Sequence, residues 1–318
     1  MDSRPGSNIF TIDFDLLMDL RVDYVFKLLF IIEPRLLVSL LNAIFANKKI
    51  PRVIKSLTIK NPYLEKKSGD DKLSILDIRA ELDDGTNVLI EMHMYGLGEL
   101  KAKTIRSWSR AHGEDLKIGG DYSDQPPTIS IAFTDGKLKS FKENIKYKTE
   151  KNKIHRHCMI MDCEDFSIFT DAMELHYIDM KAFAKAVNKA GSLNINETED
   201  PFFIKWLALI AHVEINDKTI IKHIFEEEED LQMAVSILER LGEDQLTRQA
   251  YLRRKDEIYF YNKSIADLEN RIEQEQRRAE QEQRRAEQAE AALTEKDEAL
   301  AEKDAQIARL LAQLSGDK

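Results

Sequence analysis

The sequence is poor in residues that cross-link or anchor a chain. It has only two cysteines in 318 residues, which excludes a disulfide scaffold and is typical of a reducing compartment. No segment approaches the roughly 18 uninterrupted apolar residues of a membrane span. The N-terminal residues include acids where a secretory signal would have an apolar core. These absences predict a soluble, cytoplasmic protein with no membrane partner.

An excess of positive charge is also missing. The chain has 47 basic and 57 acidic residues and a net charge of −10, which excludes a uniformly basic surface for nucleic acid but not a local basic patch. Charged residues nevertheless make up 33% of the chain, above the usual share of about 25%. This surplus predicts a long, solvated element.

The C-terminal residues supply that element as a heptad repeat. The sequence EQEQRRA occurs at 273–279 and again at 280–286, and an apolar residue recurs every seven positions from Ile265 to Leu314. The companion heptad position is mixed, with charged residues in its middle. No Gly or Pro interrupts the segment before Gly316, so a continuous helix is expected. The pattern favours a coiled coil that joins copies of the chain, with a single charged helix as the alternative.

The rest of the chain alternates between helical and strand patterns. Helices are predicted at 23–29, 36–45 and 99–118, a loop at 64–73, and strands at 56–59, 75–82, 88–94, 127–133, 155–161 and 174–180. Residues 181–261 are predicted to be helical, with a helix start at Asp200 and a helix end at Gly242. The order predicts an α/β fold with a mixed α/β core, then a helical region and a coiled coil. The predicted domains are 1–180, 181–261 and 262–318.

Residues 75–94 predict a hairpin with one apolar and one charged face. Apolar and polar residues alternate in both halves. A two-residue turn would mix the two faces. A three-residue turn with Gly85 in a left-handed conformation pairs Leu82 with Thr86 and keeps the apolar face together. That register places Asp77 opposite Glu91, with their Cβ atoms about 5 Å apart.

Two carboxylates directly opposite each other destabilise a sheet, so a compensating charge is expected. Mg²⁺ or Mn²⁺ is one candidate, because such ions take carboxylate oxygens as ligands and can activate water for attack on a phosphodiester. The alternative is that Arg79, on the same face, neutralises the pair. The hairpin by itself leaves both interpretations open.

Four blocks of sequence together resemble the recombination-promoting nuclease (Rpn) or PD-(D/E)XK nuclease family transposases of bacteria. The blocks are DYVFKLLF, LLVSLLNAIF, LDIRAELDDGTNVLIEMH and GGDYSDQPPTISIAF, and the resemblance covers about residues 18–135. It implies a restriction-endonuclease-like core, with a mixed sheet flanked by helices, that cleaves DNA with Mg²⁺ or Mn²⁺. It also implies a role in recombination or mobile-element biology.

The resemblance assigns roles to individual residues. Asp77 and Glu91 match the two motif acids, which implies that both are catalytic Mg²⁺ ligands. Asp23 matches an early acid of the family, with Lys27 one turn later on the same helix face. The third motif position falls on His93, where the superfamily usually has Lys and this branch commonly has Gln. A neutral imidazole can relay a proton but is not a fixed cation, so Lys27 is the candidate substitute.

The predicted helix after the hairpin has a basic stripe. Lys103, Arg106 and Arg110 are spaced three and four residues apart and therefore share a face, while Trp108 lies on a different one. The stripe predicts contact with the phosphate backbone of DNA, which would carry no sequence information by itself. A solvated helix surface is the alternative.

A second group of metal-binding residue types occurs at His155, His157, Cys158 and Cys163. In a strand, the two histidines share a face and Cys158 points the other way. The spacing matches no common structural zinc pattern, so no metal site is expected here.

The function predicted from the sequence is a metal-dependent DNA endonuclease that forms a homo-oligomer through its tail. In the proposed mechanism Asp77 and Glu91 hold the metal, Asp23 assists, and His93 orients or activates the attacking water. The alternative is a catalytically inactive nuclease-fold protein that binds DNA or protein as an oligomer.

Overall fold

The chain divides into two compact units, Met1–Tyr259 and Phe260–Lys318. The computed structural model describes residues 17–46, 48, 52–61, 77–94, 100–114, 121, 124–136, 153–193, 199–213 and 227–315. The predicted loop at 64–73 and the predicted helix end near 118 lie outside these ranges.

The first unit is built around a six-stranded mixed sheet. Its strands are β1 (Leu57–Ile59), β2 (Ile78–Leu82), β3 (Asn87–His93), β4 (Thr128–Thr134), β5 (His155–Met161) and β6 (Ile168–Asp179). Their order across the sheet is β1-β2-β3-β4-β6-β5. The central strands β3, β4 and β6 are parallel, while β1, β2 and β5 pair antiparallel with their neighbours. This confirms the predicted mixed sheet with flanking helices.

Seven helices are described. They are α1 (Asp23–Ile32), α2 (Pro34–Phe45), α3 (Leu100–Glu114), α4 (Met180–Ala190), α5 (Pro201–Ile210), α6 (Glu229–Glu243) and α7 (Gln245–Ser315). Asp200 caps α5 as predicted, because its side chain accepts from the amides of Phe202 and Phe203. The predicted helix end at Gly242 is wrong. Helix α6 continues to Glu243, and Asp244 then accepts from the amide of Thr247 at 2.8 Å at the start of α7.

The two faces of the sheet have cores of different size. On one face, Ile90, Ile131 and Ile178 belong to a large apolar cluster that includes buried residues of α1, α2, α4, α5 and α6. On the other face, Ala132 and Tyr177 pack in a small cluster with α3. Successive residues of a regularly paired strand point to opposite faces, so this division assigns each regularly paired strand residue to one side.

Strand β6 is longer than its sequence pattern predicts. It begins at Ile168, six residues before the predicted start at 174, and its pairing with β5 is irregular after Met159. Such an irregularity breaks the alternation on which strand prediction depends. The added residues are mostly exposed or half-buried.

No single helix among the described residues is long and apolar enough to cross a membrane. Helices α1 and α2 together reach the length and composition of a span, but they bend by 111° at their junction. Their apolar residues lie in the core of the first unit.

The second unit continues α7 as an uninterrupted helix to Ser315, as the heptad segment predicts. The heptad side chains Ile272, Leu293, Leu300 and Ile307 are 55–61% exposed. The helix is therefore confirmed, while its association into a coiled coil stays a prediction.

Candidate active site

The hairpin of β2 and β3 has the predicted register. Ile78 pairs with Ile90 and Ala80 with Val88, and the amide of Leu82 donates to the carbonyl of Thr86 at 2.9 Å. Gly85 has φ +84°, a left-handed conformation that a residue with a side chain rarely adopts. The three-residue turn therefore keeps the apolar side chains on one face.

The same register, extended by one residue, brings Asp77 opposite Glu91. Asn61 fixes the main chain there, because its amide donates to the Asp77 carbonyl at 2.7 Å and its oxygen accepts from the Arg79 amide at 2.8 Å. Nothing in the hairpin pattern indicated Asn61. One side chain thus extends the pairing of β1 with β2 beyond Ile59.

The two carboxyl groups have opposite pKa shifts. Burial and the charge of Glu91 raise the pKa of Asp77 well above its ordinary value, against the opposing charges of Lys103 and Lys27. Burial also opposes ionisation of Glu91, but its hydrogen bond to His93 and the charges of His93 and Lys103 lower its pKa. In the metal-free protein Asp77 therefore retains a proton more readily than Glu91 does.

His93 lies on the same face as Glu91. Its Nε2 is 2.5 Å from Oε2 of Glu91, and the imidazole is only 5% exposed. With Glu91 ionised, this nitrogen donates, and Nδ1 of a neutral ring remains an acceptor. The geometry makes His93 a partner of the second motif acid, in a position from which an imidazole can also accept a proton.

Asp23 is buried at the start of α1 and is held by a residue that the sequence analysis missed. Arg254 of α7 donates from Nε to Oδ1 at 2.9 Å and from Nη2 to Oδ2 at 2.6 Å. Both residues belong to the first unit. The two are separated by 231 positions, and no local pattern links them. Asp23 also contributes to the raised pKa of Asp77, so its charge acts on the candidate site.

Lys27 is almost fully buried, with 1% of its surface exposed. Burial lowers the pKa of its ammonium, and the charge of Asp77 opposes that shift. A buried lysine whose charge acts on Asp77 is consistent with the predicted substitute for the motif cation. The sequence placed Lys27 one helical turn after Asp23 on the same face, and the role of Lys27 stays a prediction.

The basic stripe of α3 is exposed, as predicted. Lys103 acts on both Asp77 and Glu91, while Arg110 donates to Glu114 at 3.1 Å. Trp108 lies on the buried side of the helix, where its indole donates to the carbonyl of Thr128 at 2.8 Å. Arg106 is exposed between the other two basic residues.

The position of Arg79 in β2 left open whether it neutralises the two acids. In the structure it does not take that role. Its guanidinium donates to Glu114 at 2.7 Å, and the positive charges that oppose the raised pKa of Asp77 are those of Lys103 and Lys27. Half-buried Asp77 and buried Glu91, whose mutual repulsion raises the pKa of Asp77, are a donor set that suits a hard divalent cation.

The six-stranded mixed sheet with flanking helices and a long C-terminal helix is consistent with a PD-(D/E)XK nuclease fold. The family model described as PD-(D/E)XK nuclease family transposase matches residues 20–274, and the chain belongs to this family. Comparisons with curated proteins and with solved structures give no match. PD-(D/E)XK nucleases generally use divalent metal ions, and the family supports a nuclease-type function with DNA as a partner.

Proposed function

We propose that this protein is a metal-dependent DNA endonuclease whose acids Asp77 and Glu91 hold Mg²⁺ or Mn²⁺. The observation that carries this proposal is the hairpin register, which continued by one residue from Ile78 and Ile90 sets half-buried Asp77 opposite buried Glu91. The charge of Glu91 and the burial of the site raise the pKa of Asp77, in agreement with that geometry. A bound divalent ion supplies Lewis-acid charge for phosphodiester hydrolysis. It would also remove the repulsion between the two acids.

The remaining residues have positioning and electrostatic roles in this proposal. His93 holds Glu91 through Nε2 and orients or deprotonates the attacking water. Lys27 supplies a buried positive charge in place of the missing motif lysine. Asp23, fixed by Arg254, acts through its charge on Asp77.

The exposed side chains of Lys103, Arg106 and Arg110 are proposed to contact DNA phosphates. Their contribution is to place the duplex over the acids and not to read its sequence. We further propose that the protein is cytoplasmic and that α7 forms a homo-oligomeric coiled coil. Two copies brought together in this way could cut both strands, in keeping with a role in recombination.

The test is plasmid cleavage by the full-length chain with Mg²⁺ or Mn²⁺. Asp77→Asn and Glu91→Gln should each abolish nicking and linearisation, because each removes a charged ligand with little change in shape. Glu81→Gln is the matched control, since Glu81 lies on the same face of β2 but pairs with Lys60 at the surface. Folded wild-type protein that does not cleave the plasmid with either metal would contradict the proposal.

A second candidate is a catalytically inactive nuclease-fold protein that binds DNA or protein as an oligomer. Two observations favour it: His93 stands at the third motif position, and Arg254 engages both oxygens of Asp23. Such a protein would bind DNA without any response of its melting temperature to Mn²⁺. An active site should instead give a Mn²⁺-dependent rise in melting temperature that Asp77→Asn removes.

A further inference from the structure

A second buried cluster of ionisable side chains lies on the other face of the sheet. His157 of β5 pairs with His176 of β6, and Glu174 precedes His176 by two residues on the same side of β6. His176 also pairs with Ile131 of the large apolar cluster, whereas Glu91 pairs with Ala132 of the small one. The cluster is therefore separated from the candidate active site by the sheet.

Three ligand atoms converge in this cluster. Nε2 of His157 lies 2.8 Å and Nε2 of His176 lies 2.9 Å from the same oxygen, Oε1 of Glu174. The two imidazoles are stacked, with ring centroids 4.5 Å apart. Glu174 and His176 are fully buried, and the side chain of His157 is 13% exposed.

The hydrogen bonds around this group are incomplete without a cation. An ionised Glu174 only accepts, so Nε2 of His176 carries the proton of that neutral ring. Its Nδ1 must then accept from Nε2 of His155, 2.8 Å away. This leaves Nδ1 of His155 as a bare lone pair 3.4 Å from Oε2 of Glu199. Within the described residues this buried nitrogen has no hydrogen-bond partner.

A cation on Nε2 of His176 would resolve that conflict. The proton of His176 then sits on Nδ1 and is donated to Nε2 of His155. The proton of His155 moves to Nδ1, which faces the carboxylate of Glu199. A metal-bound imidazole whose other nitrogen donates through a chain to a carboxylate is a common arrangement around protein metals. An extra proton on His155 would satisfy the same atom, but only by burying a charged imidazole.

Two basic residues in the connection between α2 and β1 hold the two carboxylates in place. Arg52 contacts the other oxygen of Glu174, Oε2, at 3.2 Å, so that Oε1 is left to the imidazoles. Lys48 donates to Oε2 of Glu199 at 2.6 Å. Arg52 thus engages the oxygen of Glu174 that the imidazoles leave, whereas Lys48 holds the same oxygen of Glu199 that faces His155.

We propose that His157, Glu174 and His176 form a Zn²⁺ site with three protein ligands, with His155 and Glu199 as its supporting hydrogen-bond chain. Two imidazoles and one carboxylate suit Zn²⁺ better than Mg²⁺, which takes oxygen ligands. Tetrahedral ligands at about 2.0–2.1 Å from Zn²⁺ lie about 3.3 Å from one another. Each nitrogen–oxygen distance therefore has to widen by only about 0.5 Å, which side-chain rotation can provide.

The experiment uses the full-length, tag-free protein, stripped with chelator and then dialysed against Zn²⁺ alone. We expect about one zinc per chain and a rise in melting temperature of about 5–10 °C at a free zinc concentration near 100 times Kd. The Co²⁺-substituted protein should show the visible absorption of a low-symmetry site. His157→Gln, at the least buried ligand, should remove the bound metal, the thermal shift and the absorption.

Two control variants separate this site from others. His112→Gln removes another partly buried imidazole, one that stacks on Trp108, and should leave zinc binding unchanged. Asp77→Asn disables the candidate active site and should also retain the zinc. The proposal is overturned if wild-type protein takes up no zinc, if His157→Gln retains it, or if Asp77→Asn alone loses it. The wild-type thermal shift needs no variant, so a poorly folding mutant cannot obscure the result.

Discussion

Replacement of Arg254 by Met should destabilise the first unit, because it leaves the Asp23 carboxylate buried without its partner. Arg254 holds both oxygens of that carboxylate, and the two side chains are only 15% and 12% exposed. Methionine keeps the apolar stem of arginine and removes the charge. The variant therefore tests the ion pairs of Arg254, to Asp23 and to the exposed Glu257, and not the packing of α7.

The size of the effect follows from the degree of burial. Exposed ion pairs contribute about 0–1 kcal/mol, whereas removal of one partner of a fully buried pair costs about 3–5 kcal/mol. A bidentate pair that keeps a little solvent contact lies between these limits, so we expect a loss of about 2–3 kcal/mol. For a domain of this size that corresponds to a fall in melting temperature of about 5–10 °C.

Tryptophan fluorescence is the suitable assay, since the chain has two tryptophans and both Trp108 and Trp206 lie in the first unit. Arg253→Met is the matched control, because Arg253 is exposed and its loss should change stability by less than about 0.5 kcal/mol. In a double-mutant cycle with Asp23→Asn, the double variant should be no less stable than the worse single variant. Equal effects of the two arginine variants, or strict additivity in the cycle, would refute the reasoning.

Three other predictions concern pH and assembly. Because the pKa of Asp77 is raised, the folded metal-free chain retains a proton that the unfolded chain releases. The free energy of unfolding, measured by chemical denaturation with chelator present, should therefore fall as pH rises towards that pKa. Asp77→Asn should remove this pH dependence. Burial lowers the pKa of His176 from 6.5 to about 3, so stability should fall as pH decreases from 6.5 towards 3; an unchanged slope in His176→Gln would count against this cause. Leu300→Glu should reduce the mass measured by light scattering towards the 36.7 kDa of one chain, while Ala299→Glu, off the heptad seam, should not. Equal masses for these two variants would argue against the coiled coil.

The hairpin was predictable because its information is local. The alternation of residue types and the need for a left-handed residue at Gly85 together leave one register, and the structure has it. That register also carries the pairing of Asp77 with Glu91. The shared face of Asp23 and Lys27 followed from helical spacing in the same way.

The contacts that were missed join distant parts of the chain. Asp23 and its partner Arg254 are 231 positions apart, and Glu174 and its partner Arg52 are 122 positions apart. His157 could be placed on a strand face, but its neighbours depend on which strand pairs with β5 and in which register. The early start of β6 and its irregular pairing with β5 have no signal in the alternation of residue types.

The two hydrogen bonds of Asn61 to the main chain beside the acids have a consequence for the evolution of such a protein. The uncharged side chain of Asn61, two residues after β1, holds the main chain at Asp77 and Arg79. Substitutions of Asn61 can loosen the position of the Asp77 carboxylate to different degrees while every motif residue stays unchanged in the sequence. Both motif acids can therefore persist in the sequence of a relative whose site is no longer held in place.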